Sequence, residues 1–499
     1  MKKILTIILD GFGMREDIYG NAIKNAGMNN FIDLWNNYPH CLLSSSGKSI
    51  GLPPEQCSCS EIGHKVIGSG QKIKSNLNII NDALSKNLLF KNNKFNQMIN
   101  YLNQTKKSLH IISLISDGGV SSHIEHLRYM INILANKNIQ NVYLHLITDG
   151  QDSSKYSSLT YINDIEKICN NNIKIASLCG RYYALDKSGD YNRTKTYYDL
   201  LINGHGVKTP SISRIIKMCY DKNLSDEYLP PIKTPDYIPF DNGDVVFLLN
   251  YSRKNQIQLL QFLTNQINEE YNMEKVNLKI YSLFEITNEI KINNLFEEEQ
   301  IENTLCEYID KLDLSQARIV ESIKKDSLTY YLDGSRKIKI NNCDTYVVPS
   351  LKLDNIDKKP AMNALSIAKT IIKCMDNDYD FIIANFANPD EIGHTGNYQA
   401  TINGLQAIDV CLGKILEVAE DNFYKVIIVG DHAKADTIID RENNIITKNT
   451  LSPVPFIIVD KKVKLYNGDL TMVSPTILKY MDIALPKNMK NNRTLFEEE

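Results

Sequence analysis

The sequence predicts an α/β protein of two domains built on mostly parallel sheets. Three observations carry that expectation. Largely apolar runs of strand length recur along the chain, each ending in polar or acidic residues. Such runs read as strands buried on both faces, with polar groups at their carboxyl ends. Stretches with helical spacing of apolar residues separate them, the alternation expected of a sheet covered by helices on both sides. At 499 residues the chain also exceeds the size at which a single core stops growing, so more than one domain follows.

The elements can be taken in order. Residues 4–9 form the first apolar run, which ends in Asp10-Gly11-Phe12-Gly13. Residues 21–36 place Ala22, Ile23, Ala26, Phe31, Leu34 and Trp35 at helical spacing, an amphipathic helix for that strand. A turn-rich stretch at 51–70 then holds Ser60 beside Glu61 and His64. From about Leu77 a new series begins, with apolar runs at 111–115, 142–147, 173–178 and 245–249. They end before Ser116-Asp117-Gly118-Gly119, Thr148-Asp149-Gly150-Gln151-Asp152, Gly180-Arg181 and Asn250-Tyr251. Ligands of parallel sheets bind outside such carboxyl ends. The acidic stretch 293–300 reads as a linker. Beyond it the strand rhythm resumes with runs at 327–332 and 381–386, a helix over 361–375, a long helix over 398–420, and a strand at 426–429 before Gly430-Asp431-His432.

Composition excludes several classes of function. The 56 basic and 59 acidic residues give a net charge of −3, without the basic excess of a nucleic-acid surface, so neither nucleic acid nor membrane is expected as a partner. Lys2 and Lys3 precede an apolar run that Asp10 ends, too short for a signal segment or a spanning helix, and a cytoplasmic location is expected. Ten cysteines without a CxxC pair read as reduced core thiols. Cys57 and Cys59 alone lie close together, and a zinc site there lacks further ligands.

The candidate chemistry lies at three strand ends. Asp10, Asp390 and Asp431 converge on one sheet edge, which is costly unless cations neutralise them. Asp390 and His394 are four apart, within reach of one metal on a helical turn, and Asp431-His432 adds an adjacent oxygen and nitrogen pair. These donors suit manganese or zinc better than calcium. A single acid after a strand is ordinarily a cap or turn residue; three together, two with histidines, point to a metal site. A serine hydroxyl such as that of Ser60 needs a base or a metal to become a nucleophile.

The motifs LDGFG (9–13), SEIGH (60–64), SDGGV and SSH (116–123), DGQD (149–152), GRYYALD (180–186), NPDEIGHTG (388–396), GDHAKAD (430–436) and PVP (453–455) follow one another in order. With them the chain resembles cofactor-independent phosphoglycerate mutases, members of the alkaline phosphatase superfamily, over essentially its whole length. The resemblance implies an alkaline-phosphatase-like parallel-sheet domain from residues 1–75 and 300–499, and an inserted α/β transferase domain at 76–299 that binds substrate. It also implies a monomer that interconverts 3- and 2-phosphoglycerate, with two divalent ions, manganese foremost and zinc or cobalt as alternatives. Ser60 is the implied nucleophile and phosphoserine. Asp10, Ser60, Asp431 and His432 surround one implied metal, Asp390 and His394 the other, with Lys339 as the lysine of the site. Domain closure then excludes water.

The departures from the family pattern fall in the binding shell. Asn449 stands where a histidine completes the second metal set, a weaker neutral donor. Ser121 replaces a substrate-contacting histidine, with His123 two residues on. Gln151 replaces an arginine, and Ser252 and Asn255 replace two more, although Arg253 and Lys254 lie between them. Arg181 and Asp152 match, and Lys187 keeps the charge of an arginine without its fork. Each lost charge-assisted contact is worth about 1.5 to 3 kcal/mol. The sequence therefore also admits a paralogue acting on another phosphorylated or phosphonylated small molecule, or a non-catalytic member with a binding role. The intact nucleophile and metal set favour catalysis.

Overall fold

In the computed structural model the described residues are 2–137, 139–267, 269–271, 273–351, 353, 355–489 and 493–496. They divide into two compact units, one formed by 1–75 with 299–499 and the other by 76–298. Each is an α/β unit around an eight-stranded, mostly parallel sheet.

In the unit made from both chain ends, the strands lie in the order Cys343–Val348, Gln316–Glu321, Phe381–Phe386, Lys3–Leu9, Tyr424–Gly430, Val454–Ile458, His40–Ser44 and Gly468–Asp469. Only Val454–Ile458 runs antiparallel to its neighbours. Lys3–Leu9 is central and, apart from Lys3 and Thr6, apolar because both its faces are covered. Leu5, Ile7 and Leu9 pack with the helices Ala364–Asp376 and Tyr398–Asp421, while Ile4 and Ile8 pack with Ser60–Ser69 and Val473–Tyr480. Each such fully buried side chain contributes about 1.5 to 3 kcal/mol. The long helix starts where Asn397 caps it, its side chain accepting from Ala400 N at 3.1 Å.

In the inserted unit the order is Asn293–Asn294, Lys279–Ser282, Val245–Leu248, Leu109–Ile115, Val142–Thr148, Ile173–Gly180, Ile232–Lys233 and Val207–Lys208. Leu109, Ile111 and Ile115 face the helices Asn93–Thr105 and Ile124–Asn136; Ile112 and Leu114 face Tyr191–Asn203 and Ile257–Leu263.

Two readings of the sequence are corrected. The run at 327–332 is no strand: Ser327–Tyr331 is helical, and the strand of that region is Gln316–Glu321, whose Arg318 and Glu321 interrupt the apolar pattern. The helix expected over 21–36 is two, Ala22–Asn25 and Asn29–Asn37, separated at Gly27 with φ +61°. Among the described residues no helix is long and apolar enough to cross a membrane.

Candidate functional site

In the unit built from both chain ends, three adjacent strands stop at one level. Leu9 stands beside Phe386 on one side and Gly430 on the other, so Asp10, the helix Asn388–Gly393 and Asp431 emerge next to one another. Their close approach depends on glycine. Gly11 has φ +77°, and a Cβ there would lie 2.9 Å from Asp390 Cα; one on Gly63 would lie 2.5 Å from the Asp431 carbonyl oxygen.

Ser60 opens the helix Ser60–Ser69 and is buried. Its hydroxyl donates to Asp10 Oδ1 at 2.6 Å and lies 3.4 Å from Asp390 Oδ2. Lys324 Nζ donates to Ser60 Oγ at 2.6 Å, to Asp10 Oδ1 at 3.1 Å, and to Asp390. Ammonium and carboxylate thus fix the hydroxyl from two sides, at the amino end of a helix that favours negative charge.

This corrects the expected lysine. Lys339 is exposed in the stretch after Asp333 and Gly334. That turn is buried instead by a two-pronged pair between Arg318 and Asp333, both contacts 2.8 Å. Lys324 belongs to the short helical turn that follows the strand Gln316–Glu321, which places it at the carboxyl edge with the acids. With that strand unrecognised, the sequence offered no signal for Lys324.

The histidines complete the cluster. Asn385 Nδ2 donates to Asp10 Oδ2 at 2.7 Å and to His64 Nε2 at 3.1 Å, which leaves His64 Nδ1–H to donate to Ser60 O at 2.8 Å. His64 Nδ1 is also 3.2 Å from Asp431 Oδ2. His432 Nε2 is 2.9 Å and His394 Nε2 3.2 Å from Asp390 Oδ1, and His394 Nδ1 donates to Thr447 O at 2.7 Å. Asp390 and His394 therefore do share a helical turn.

Burial pushes the Asp10 carboxyl above its usual range, with the charge of Asp431 adding and Lys324 opposing. Burial acts the same way on Asp390 but is overcome by Lys324, His394 and His432, which hold it well below that range. Asp431 is likewise low despite burial, because of His432 and His64. Burial opposes the charge on His432, yet Asp431 and Asp390 raise it well above an ordinary imidazole.

Two overlapping donor groups result: Asp10 with His64 and Asp431, and Asp10 with Asp390 and His432. Asp431 Oδ2, His432 Nδ1 and Asn449 Oδ1 are buried without a hydrogen-bond partner; the approaches of His432 Nδ1 to Asp431 Oδ1 at 3.0 Å and of His64 Nδ1 to Asp431 Oδ2 at 3.2 Å are ionic contacts out of hydrogen-bond alignment. Buried polar atoms are nearly always paired, so open carboxylate and imidazole atoms where three acids converge fit divalent cations. All the expected ligands lie here except that Asn449 is seen only with its amide donating to Ser58 O at 2.8 Å. His64 lies in the cluster but in neither expected set; its place four residues after Ser60 on a helix was the available signal.

The inserted unit has its own strand-end cluster. Ile115, Thr148 and Gly180 are aligned, so Ser116, Asp149 and Arg181 follow at one edge. Buried Arg181 Nη1 donates to Asp149 Oδ1 at 2.6 Å and Asp152 Oδ2 at 3.0 Å, and Ser116 Oγ donates to Asp149 Oδ2 at 2.5 Å. Ser121 Oγ donates to Asp152 Oδ2 at 3.3 Å and accepts from Asn255 Nδ2 at 3.4 Å. Gln151 Nε2 donates to Glu227 Oε1 at 2.6 Å, and half-buried Lys187 acts on the same carboxyl. His123 caps the helix Ile124–Asn136, its Nδ1 accepting from Glu125 N at 3.3 Å, so it does not take over from Ser121 at Asp152. Burial raises the Asp149 and Glu227 carboxyls; neither residue was among those singled out, although Asp149 opens the DGQD motif.

Comparison with known proteins agrees with this architecture. The model of the metalloenzyme superfamily matches residues 2–485. A 2,3-bisphosphoglycerate-independent phosphoglycerate mutase of Campylobacter jejuni is 35% identical over 500 residues, covering 99% of this chain and 100% of the relative. One of Bacteroides thetaiotaomicron is 35% identical over 495 residues, covering 98% of each. The crystal structure of a Leishmania mexicana phosphoglycerate mutase at low cobalt concentration has the same fold, with a TM-score of 0.93 at 22% identity over 100% of this chain and 98% of that one. The chain belongs to the 2,3-bisphosphoglycerate-independent phosphoglycerate mutase family and is a metal-dependent phosphomutase, an isomerase.

Proposed function

We propose that this member of the family interconverts 3- and 2-phosphoglycerate through a phosphoryl group carried on Ser60. The observation that supports it is the Ser60 hydroxyl, held by Asp10 and Lys324 at the joint ends of three strands. In the first half-reaction Ser60 Oγ attacks the phosphorus, the bond from phosphorus to one glycerate oxygen breaks, and that oxygen takes up a proton as phosphoserine forms. In the second, the other glycerate hydroxyl gives up its proton and attacks the phosphoserine, releasing Ser60. The hydrogen bond from Ser60 to Asp10 gives the hydroxyl proton a path off Oγ, and Lys324 sits where a phosphoryl oxygen would carry negative charge.

Asp10, Asp431, His432, Asp390, His394 and, as a weak donor, Asn449 would hold two divalent ions, manganese foremost. Such ions would lower the pKa of the hydroxyl and neutralise the phosphoryl charge. His64 orients Asp431 and the Ser60 carbonyl rather than acting on substrate. We assign the glycerate to the Asp152 and Arg181 cluster of the inserted unit, with Ser121, Gln151 and Lys187 beside it. All ten cysteines are free, in keeping with the cytoplasm.

The test is to incubate the protein with manganese and 3-phosphoglycerate and follow 2-phosphoglycerate by phosphorus NMR, with mass spectrometry for phosphate on Ser60. Turnover with a labelled Ser60 is expected; a folded, metal-loaded protein that gives neither overturns the proposal. A second reading, a less anionic phosphate ester as substrate, draws on Arg181 being already matched by two buried carboxylates. Label on Ser60 from such an ester but not from 3-phosphoglycerate would select it.

A further inference from the structure

Lys324 is surrounded by more acceptors than it can serve. Its ammonium has three N–H groups, and within reach lie Ser60 Oγ, Asp10 Oδ1, Asp390 Oδ2 and Glu391 Oε1, the last at 3.3 Å. Two of the three carboxylates, Asp10 and Asp390, are assigned above as metal ligands. Divalent ions held by those acids would repel an ammonium from them, and the acids cannot serve both cations at full strength.

Glu391 differs from the other two. It follows Asp390 on the helix Asn388–Gly393, is 7% exposed, and stands in neither convergent donor group. A carboxylate this buried is costly without a cation beside it. An acid also lies near it: Glu321, buried at the end of its strand, accepts from Asn363 Nδ2 at 3.0 Å and feels the charge of Glu391 as a repulsion. Lys324, 3.3 Å away, is a cation that offsets Glu391.

We propose that Glu391 is a positioning residue: it receives the Lys324 ammonium as metal takes over Asp10 and Asp390, and keeps it on Ser60. The inference rests on the reading of Asp10 and Asp390 as ligands and of Ser60 as the phosphoryl carrier. It predicts that without the Glu391 charge Lys324 stays on Asp10 and Asp390 and competes with the incoming ion. Glu391 then acts on metal affinity only through Lys324.

The test is a calorimetric manganese titration of the metal-free full-length protein, its Glu391→Gln, Glu391→Asp and Lys324→Met variants, and the Glu391→Gln/Lys324→Met double variant. Glu391→Gln is expected to bind manganese about tenfold more weakly, Glu391→Asp to recover most of the affinity, and the double variant to match Lys324→Met. In turnover, Glu391→Gln lowers kcat with KM unchanged. Manganese affinity of Glu391→Gln equal to wild type overturns the inference, as does an equal loss in the Lys324→Met background, since Glu391 would then act without the lysine. A wild-type protein that binds manganese but neither turns over nor labels Ser60 overturns the functional reading, while the binding cycle still decides Glu391. Wild type that binds no manganese overturns both. Unchanged thermal melting of Glu391→Gln separates the effect from misfolding.

Discussion

The two units end their parallel strands in the same way and fill the ends differently. At the edge holding Ser60, Asp10, Asp390 and Asp431 meet histidines and one lysine, and buried donor atoms of Asp431 and His432 stay unpaired. At the other edge, Asp149 and Asp152 are closed by Arg181, whose guanidinium serves both. The first edge supplies one lysine and still keeps donors open for ions from solution; the second closes its acids with its own guanidinium. Burying acids requires counter-charge in either case, and how much of it the chain provides separates a metal centre from a prearranged polar cluster.

Four measurements press on that contrast. The largest effect is expected for Ser60→Ala, which leaves both edges folded and removes the phosphoryl acceptor: kcat should fall by about 10^4-fold or more, with manganese affinity kept within an order of magnitude. Equal losses of turnover and metal would place Ser60 in the metal site alone. Next, Arg181→Met strands two buried carboxylates and should destabilise the inserted unit by about 3 to 5 kcal/mol in urea unfolding. Manganese should not restore that loss if the second edge is self-sufficient.

The third measurement concerns acid. Burial pulls the His126 imidazole down to about 3 from the usual 6.5, and its Nε2 faces Asn81 Oδ1 at 2.8 Å. The unfolded chain takes up the proton first, so the stability it contributes is complete above pH 6.5 and is lost as pH falls toward 3. Between pH 7.5 and pH 5 the wild type should lose about 2 kcal/mol more than His126→Asn in urea unfolding. Equal losses would show an imidazole already charged in the fold. The smallest effect is expected from Asn449→His, which should tighten manganese about tenfold by calorimetry. Unchanged affinity would remove residue 449 from the ligand set.

Much of this was legible in the chain. Asp10, Asp390 and Asp431 announced themselves by standing after apolar runs, and His394 by its spacing from Asp390, because a buried strand and a helical turn are local patterns. Arg181 and Asp152 also follow apolar runs, but the family resemblance is what singled them out. Lys324 was not, since the strand that delivers it carries Arg318 and Glu321, and the fold buries both: the first against Asp333, the second against Asn363. The capping role of His123, whose Nδ1 accepts from Glu125 N, was not signalled by its place two residues beyond Ser121.

The sequence by itself determined the α/β class, the two series of strands and the acids at their ends, because each depends only on neighbouring residues. Tertiary structure decided which groups meet: the register that sets Leu9 beside both Phe386 and Gly430, the strand end that brings Lys324 to Ser60, and the pairing of Arg181 with both its acids. Side chains far apart in the chain come within hydrogen-bonding distance only through packing, and packing is a property of the whole core.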